Sequence, residues 1–349
     1  MKQYTTAVFI GRFQPVHTAH VEMLQRASEL ADKVIVILGS AGQPRTFKNP
    51  FTDAERTQMV SAAMPLGVNF VIEPNHDTIH NNQAWAVRIQ NIVAKHTTAT
   101  DTIALLGHKK DETSFYLDMF PQWDTIDQEL IEQLNAADIR DIYFKRSNVK
   151  YLKHVTSDAS LIYLKHVISD STYQFLTEFK ETTEYNKIVD EREFVENYKK
   201  QFVSLLYAPI FVTTDAVVVQ SGHVLLIKRR AFPGKGLWAL PGGFVDAESD
   251  KSIQDAMIRE LREETCIKVP LPVLAGNIRS NKVFDAIGRS TRGRTITHAY
   301  YIQLPDSGTL PKVKGTDDAE RAIWMPICSL KSEEFYEDHF EIINYFVGA

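Results

Sequence analysis

The chain has 349 residues, 44% of them hydrophobic and 10% aromatic, which is enough apolar material for two buried cores and argues against disorder. Lys and Arg total 39 against 44 Asp and Glu, a formal charge of −5, so the basic surplus behind non-specific nucleic-acid binding is missing and local basic clusters are expected to serve small anions. Cys266 and Cys328 are too few for a disulfide framework and form no Cys-x-x-Cys site; with no signal-like N-terminus and no apolar run of about 18 residues, a cytoplasmic protein without a membrane segment is expected.

Apolar runs at Thr6 to Ile10, Val34 to Leu38, Asn69 to Ile72 and Thr102 to Leu106 predict strands, and periodic segments at His20 to Ala31 and Asn82 to Ala94 predict helices between them. This alternation predicts an α/β fold with a parallel sheet, whose ligands sit at the strand C-termini where Gly11, Gly39 and Gly107 fall. YLKHVTSD at Tyr151 to Asp158 recurs as YLKHVISD at Tyr163 to Asp170, a tandem duplication too short for a solenoid unit. Charged, helix-favouring sequence then fills Leu176 to Ser204. Beyond it, strands are predicted at Val212 to Val219, His223 to Lys228 and Thr295 to Gln303, with a helix at Ser252 to Thr265. The expected division is a first domain over 1–180, a helical linker over 181–205 and a second domain over 206–349.

The first chemical cluster is Gly11-Arg12-Phe13-Gln14-Pro15-Val16-His17-Thr18-Ala19-His20, at the first strand-to-helix turn. Glycine admits close backbone approach, the helix start offers N–H groups, and two imidazoles can donate to phosphoryl oxygens. Isolated histidines at a turn are ordinary surface residues; beside Arg12 and Gly11 they point to a nucleotide phosphate chain. The segment resembles the (H/T)xxH signature of the nucleotidyltransferase superfamily, and its GRFQP start is similar to archaeal-type nicotinamide mononucleotide (NMN) adenylyltransferases. Gly39-Ser40-Ala41 with Thr46 to Thr52 and Glu55-Arg56, then Asn82 to Trp85, then Gly107 to Asp111 with Ser114 to Tyr116, resemble further blocks of that family. Leu134 to Arg140 keeps the Ile-Arg end of a phosphate-binding block without its hydroxyl residues; helix-start N–H groups can hold phosphate in their place. The resemblance implies a Rossmann-like domain with His17, His20, Lys48, Arg12 and Arg140 on the ATP phosphates and Mg²⁺ bridging oxygens. Gly11, Phe13, Asn82, Trp85 and Gly107 complete the implied ATP and NMN site, with Trp85 stacked on nicotinamide. Trp85 also reads as a core aromatic on a helix face, and Lys48 as a solvated side chain.

The second cluster is Arg259-Glu260-Leu261-Arg262-Glu263-Glu264, which places three carboxylates on one helical face at i, i+3 and i+4. A solvated acidic helix gives the same spacing, but with Leu240-Pro241-Gly242-Gly243-Phe244 upstream the pattern resembles the Nudix hydrolase box. The connecting loop is longer than that box allows: counting from Gly243 its glutamate falls on Ser249, counting back from Arg259 it falls on Lys251, Glu248 fits only from Gly242, and Cys266 replaces the final glycine. Asp285 to Tyr300, containing Arg289, Arg292 and Arg294, resembles a segment of Nudix enzymes acting on ADP-ribose, although a solvated hairpin reads alike; Asp317 to Glu320 with Trp324 and Pro326 resembles the closing segment. The resemblance implies a Nudix α/β/α sandwich with a mixed sheet. It places Mg²⁺ or Mn²⁺ on Glu260, Glu263, Glu264 and the Gly242 carbonyl, assigns Glu260 and Glu264 to catalysis, gives Arg259 the task of holding a glutamate, and offers Glu320 or a box glutamate as general base.

Together the halves resemble the bacterial bifunctional NMN adenylyltransferase/Nudix hydrolase family. That implies a soluble enzyme whose partners are ATP, NMN, NAD and ADP-ribose, not nucleic acid or membrane, with the oligomeric state open and a homo-oligomer among the options. Two alternatives stand beside it: adenylylation or cytidylylation of another phosphate compound, and a Nudix domain that senses a nucleotide without hydrolysing it.

Overall fold

The computed structural model describes residues 2–78, 80–107, 112–127, 135–145, 161–316 and 319–348. His108 to Asp111, the Ser114 side chain, Leu134, the first copy of the duplicated octapeptide and Asp317-Asp318 lie outside the described residues. The chain divides into two compact units, Met1–Asp190 and Glu191–Ala349. The division falls within a helix, Thr183–Lys200, whose Ile188 and Val189 are buried in the core of the first unit. No helix among the described residues is long and apolar enough to cross a membrane.

In the first unit, strands β1 (Tyr4–Gly11), β2 (Ala31–Ala41), β3 (Asn69–His76), β4 (Ile103–Gly107) and β5 (Asp124–Asp127) form a parallel sheet in the order β3-β2-β1-β4-β5. The central strands are apolar without interruption because both faces are covered. Alternation then sorts their side chains. Ala7, Phe9, Val34, Val36, Leu38, Ala104 and Leu106 pack with α1 (Thr18–Leu30), α2 (Asp53–Ala63), α4 (Ala136–Tyr143) and α5 (Asp170–Phe179). Val8, Ile10, Ile35, Ile37 and Leu105 pack on the other side against Ala86, Ile89, Ile92 and Val93 of α3 (Asn82–Ala94). Strand order reverses between β1 and β4, so the ends of these two strands, Gly11 and Gly107, flank the crevice where doubly wound sheets take their ligands.

The helix divided between the units, Thr183–Lys200, is α6. In the second unit, β6 (Ile210–Gln220), β7 (His223–Arg229), β10 (Ile278–Phe284), β11 (Arg294–Gln303) and β12 (Ala319–Pro326) run in the order β10-β11-β6-β7-β12, with β8 (Trp238–Ala239) on β7 and β9 (Gly242–Phe244) on β6. The sheet is mixed: β11 and β6 are parallel over ten registered pairs and the remaining pairings are antiparallel. Ser221 and Gly222 turn β6 into β7 with both φ positive, +47° and +71°, the backbone a tight two-residue hairpin requires and glycine adopts without a Cβ penalty. Ala216, Val218 and Leu225 face Met257 and Leu261 of α7 (Ile253–Thr265), while Val217, Val219, Val224 and Leu226 face Ile342 and Ile343 of α9 (His339–Val347). Leu271–Gly276 is α8. The result is an α/β/α sandwich.

Candidate active sites

At the C-terminal edge of the first sheet, the turn after β1 is held by its own side chains. Phe13 takes φ +52° and buries its ring, 1% exposed, beneath Gly11, where a Cβ would lie 2.9 Å from the ring. The Phe13 ring lies 4.7 Å from that of His20, so Phe13 supports the site from below and its side chain is not a ligand group. His17 caps α1, and its N–H donates to His20 Nδ1 at 3.3 Å; the two imidazole centres lie 3.8 Å apart with the rings tilted by 35°. Burial, then His17 and Arg12, push the His20 pKa well below its usual value. The ring is therefore neutral at pH 7, and with Nδ1 accepting, its proton sits on Nε2 as a donor.

Around this pair stand the expected cations. Arg140, 4% exposed, donates to the Gln14 carbonyl at 2.7 Å, and burial together with Arg12 lowers its pKa to about 10. Lys48 is lowered by partial burial and by the charges of Arg12 and Arg140, with Asp77 opposing. Arg12 is likewise lowered by loss of hydration and by Arg56, again with Asp77 opposing. Like charges this close repel, and an anion would relieve them. The structure thus brings Arg12, His17, His20, Lys48 and Arg140 together.

The other expected residues have different surroundings. Asn82 is exposed on the first turn of α3, where Asn81 rather than Asn82 caps the helix through the Ala84 N–H. Trp85 is half-buried and packs on Tyr116 and Phe120 at ring distances of 6.0 and 6.1 Å, as a core aromatic would. Gly107 is glycine for a packing reason, since a Cβ would lie 2.3 Å from Leu117. The expectation that N–H groups at the start of α4 hold phosphate is corrected: Asn135 already accepts from Ala137 N and Asp138 N, and Asp138 accepts from Asn135 N. Sequence reasoning also gave no role to Arg56, which is fully buried and donates to the carbonyls of Arg12 (2.7 Å), Gly39 (2.6 Å) and Ser40 (3.3 Å) and to Asp53 (2.6 Å). One guanidinium thereby ties the loop after β1 to the end of β2.

In the second unit a cavity of about 290 Å³ opens over β6 and β9, lined among others by Asp215, Arg229, Gly242, Gly243, Glu260, Glu264, Arg289, Arg292 and Glu337. Ser252 caps α7 by accepting Asp255 N, which aims the last turns of the helix at the glycine pair. Gly242 is forced, since a Cβ there would lie 2.1 Å from the Thr214 carbonyl; one on Gly243 would lie 2.6 Å from a Glu260 oxygen and displace that carboxylate. Glu264 accepts the Gly242 N–H at 2.9 Å, and burial, reinforced by Glu260 and Asp215, pushes its pKa up to about 8. Glu260 is raised too, by burial first.

Arg259 answers the question left by the long box loop. It grips Asp250 through two bonds of 2.9 and 2.8 Å and also holds Glu260 at 2.8 Å and Glu263 at 3.0 Å. The Asp250 side chain is only 3% exposed, whereas Glu248 and Ser249 are exposed and their N–H groups bond Asp246. Asp250 lies one residue beyond the position counted from Gly243 and one short of that counted from Arg259, so the extra length is shared between the two sides of an acid the counting skipped.

Among the described residues no group of three or more His, Cys, Asp or Glu side chains is arranged to hold a metal ion. Glu263 turns to Arg259 and lines a separate outer cleft with Arg262 and Cys266, so it does not join Glu260, Glu264 and Gly242. Glu260 and Glu264 still fit a divalent cation: both carboxylates resist ionisation alone, and Mg²⁺ commonly takes one or two carboxylates and completes its shell with water and substrate phosphate. Glu320 is exposed on β12 and does not line the cavity. Of the three arginines, Arg289 is buried in a bidentate pair with Asp338 at 2.8 and 2.7 Å, Arg292 lines the cavity with its guanidinium 4.8 Å from the Phe244 ring centre, and Arg294 begins β11 away from the lining.

A cytidylyltransferase-like family model matches residues 8–210, and a NUDIX domain model matches residues 210–346. The crystal structure of a bifunctional NMN adenylyltransferase/ADP ribose pyrophosphatase from Francisella tularensis is 35% identical, with a TM-score of 0.87 and 99% of each chain covered. A second structure, of such a bifunctional protein from the same organism complexed with AMP and Mn ion, is 34% identical at the same TM-score and coverage. A nicotinamide/nicotinic acid mononucleotide adenylyltransferase from Acinetobacter baylyi is 37% identical over 150 residues, covering 42% of this chain and 78% of that relative. An ADP-ribose pyrophosphatase from Methanocaldococcus jannaschii is 29% identical over 160 residues, covering 46% and 83%.

Proposed function

Because this chain belongs to the family of bifunctional NMN adenylyltransferase/ADP-ribose pyrophosphatases, we propose that its first unit joins NMN to ATP, giving NAD and pyrophosphate, and that its second hydrolyses ADP-ribose to AMP and ribose 5-phosphate. One observation carries the reading. Each unit concentrates charge of one kind where a diphosphate would lie, cations and imidazoles in the first, paired glutamates in the second.

In the first unit the NMN phosphate is already a competent nucleophile, so the protein's work is positioning and charge neutralisation. Arg12, Lys48 and Arg140 offset the triphosphate charge, and neutral His20 donates from Nε2 to a phosphoryl oxygen on which charge builds. The divalent cation here is one that ATP carries in. In the second unit, Glu260 and Glu264 would hold Mg²⁺ or Mn²⁺, which when bound polarises the diphosphate and lowers the pKa of water. Arg259, braced by Asp250, keeps Glu260 against Gly243. Arg292 lines the cavity wall without a carboxylate partner among the described residues and is assigned to the substrate's phosphates, while Arg289, committed to Asp338, shapes that wall.

The test is to supply the full chain with NMN and ATP, and separately with ADP-ribose and Mg²⁺ or Mn²⁺, and to assay NAD and AMP. His20→Ala should slow NAD formation by at least about tenfold, or about 1.4 kcal/mol, and leave AMP release untouched. Absence of NAD from the wild-type reaction, or of AMP, would remove the corresponding half of the reading.

A further inference from the structure

One imidazole at the second cavity has no task in the hydrolysis described above. His339, the first residue of α9, lines the cavity and is 7% exposed. Its Nδ1 accepts the Leu240 N–H at 2.9 Å, which ties the start of α9 to the segment Leu240-Pro241-Gly242. A ring nitrogen that accepts carries no proton. Burial lowers the pKa of the ring, with Asp215 and Asp338 opposing and Arg289 assisting. The imidazole is therefore neutral at pH 7, and its one proton sits on Nε2.

That N–H has no acceptor among the described residues. Asp215, the carboxylate that acts on the ring most strongly, accepts the Thr297 hydroxyl at 2.5 Å, and Asp338 pairs with Arg289. Nor is the atom sealed away: the enclosed, unpartnered side-chain atoms described in this unit belong to Gln220, Arg292, Arg294 and Tyr336. Nε2 thus keeps a path to solvent, and the cavity is where the ring is open. Its direction is fixed as well. The Leu240 bond holds one side of the ring, the His339 N–H donates to the Tyr336 carbonyl at 3.2 Å, and Arg289 clamps the preceding residue through two bonds of 2.8 and 2.7 Å. A donor held in place before its acceptor arrives is worth most, because binding costs it no reorganisation.

Charge selects the acceptor. Arg289 and Arg292 share the wall, so the cavity suits an anion, and the diphosphate is the anionic part of ADP-ribose. A neutral N–H also adds no positive charge to repel the divalent cation that Glu260 and Glu264 would hold. We propose that His339 is a hydrogen-bond donor to the diphosphate in the second unit, its Nε2–H meeting a non-bridging phosphoryl oxygen. The assignment rests on the hydrolytic reading above and deepens it. The ring neither gains nor loses a proton; it stabilises the oxygen on which charge builds as water attacks phosphorus.

Two substitutions separate this role from a structural clamp on Leu240. In His339→Asn the amide oxygen stands near the place of Nδ1 and can accept the Leu240 N–H, while nothing replaces the Nε2 donor. In His339→Gln the amide nitrogen reaches the place of Nε2, and the Nδ1 acceptor is lost. With the full chain, ADP-ribose and Mg²⁺, kcat/KM should fall about 10- to 100-fold in the Asn protein and less than about threefold in the Gln protein. NAD formation should be unchanged in both. A clamp gives the opposite order, so an Asn protein within about threefold of wild type overturns the assignment, and equal losses in the two proteins overturn it as well. If the Asn protein unfolds, seen in the Trp238 and Trp324 fluorescence, the Gln protein decides alone: activity within about threefold of wild type supports the donor and a tenfold loss refutes it. Wild-type protein that releases no AMP overturns the hydrolytic reading. The donor is then judged by the Kd of ADP-ribose, which Asn should raise about tenfold and Gln should leave within about threefold; equal Kd values in all three proteins refute it.

Discussion

Arg56 offers the sharpest test of how the first site is assembled. Replacing it by Lys keeps the positive charge and removes the planar fork that reaches three carbonyls and Asp53 at once. A lysine ammonium can satisfy Asp53 and one carbonyl, leaving two buried carbonyls without a donor at about 1 to 3 kcal/mol each, so the first unit should lose about 3 kcal/mol. The carbonyls released belong to Arg12, Gly39 and Ser40, at the ends of β1 and β2, so Arg12 should drift from the phosphate position. A displacement near 1 Å costs about 100-fold in rate. Trp85 and Trp123 report on the first unit and Trp238 and Trp324 on the second, so urea unfolding in a Trp238→Phe/Trp324→Phe background reads the first unit alone. NAD formation is then compared with ADP-ribose hydrolysis, which should not change. An Arg56→Lys protein that makes NAD within about threefold of the wild-type rate would refute the claim that this guanidinium sets the loops.

Two more outcomes are expected. Asp250→Ala should release Arg259 to Glu260 and Glu263 and cut ADP-ribose hydrolysis by at least about tenfold, whereas Glu248→Ala should not; equal effects would show that the loop was misassigned. His20 titrates in the unfolded chain near pH 6.5 and in the folded chain well below it, so the unfolded state binds the extra proton in that window. First-unit stability is therefore complete above about pH 6.5 and falls by up to about 1.4 kcal/mol per pH unit below it, a slope that His20→Asn should remove; identical slopes in both proteins would show His20 to be solvated.

Much of the first sheet was legible because parallel strands buried on both faces leave uninterrupted apolar runs, as β1, β2 and β4 do. Short edge strands left no such trace: β5 is Asp-Thr-Ile-Asp, β8 and β9 are two and three residues long, and tertiary pairing alone creates them. Helix α2 went unassigned although Thr52 and Glu55 spell a capping box, which the structure forms reciprocally. Residue types with obvious chemistry, the histidines and the box glutamates, were identifiable at once. Groups that act by holding others were not. Arg56 looks like any helix arginine until its carbonyl partners are known, Asp250 was hidden by a loop whose length differs on both sides, and the turn Tyr336 to His339 follows no period that would mark it as a cavity wall.

The buried pair of Arg289 and Asp338 has a consequence for how this protein is made. The groups converging on the first pocket all precede Asp141 in the chain, and the core that supports them is complete at Val189, so the first unit can fold while the second is still being translated. The second pocket cannot. A nascent chain that has reached Phe284 already carries Glu260 and Glu264 but neither member of the pair, and its far wall is fastened only after Asp338 leaves the exit tunnel. The first unit can thus fold before synthesis ends, whereas the second pocket is complete only when its far wall is closed.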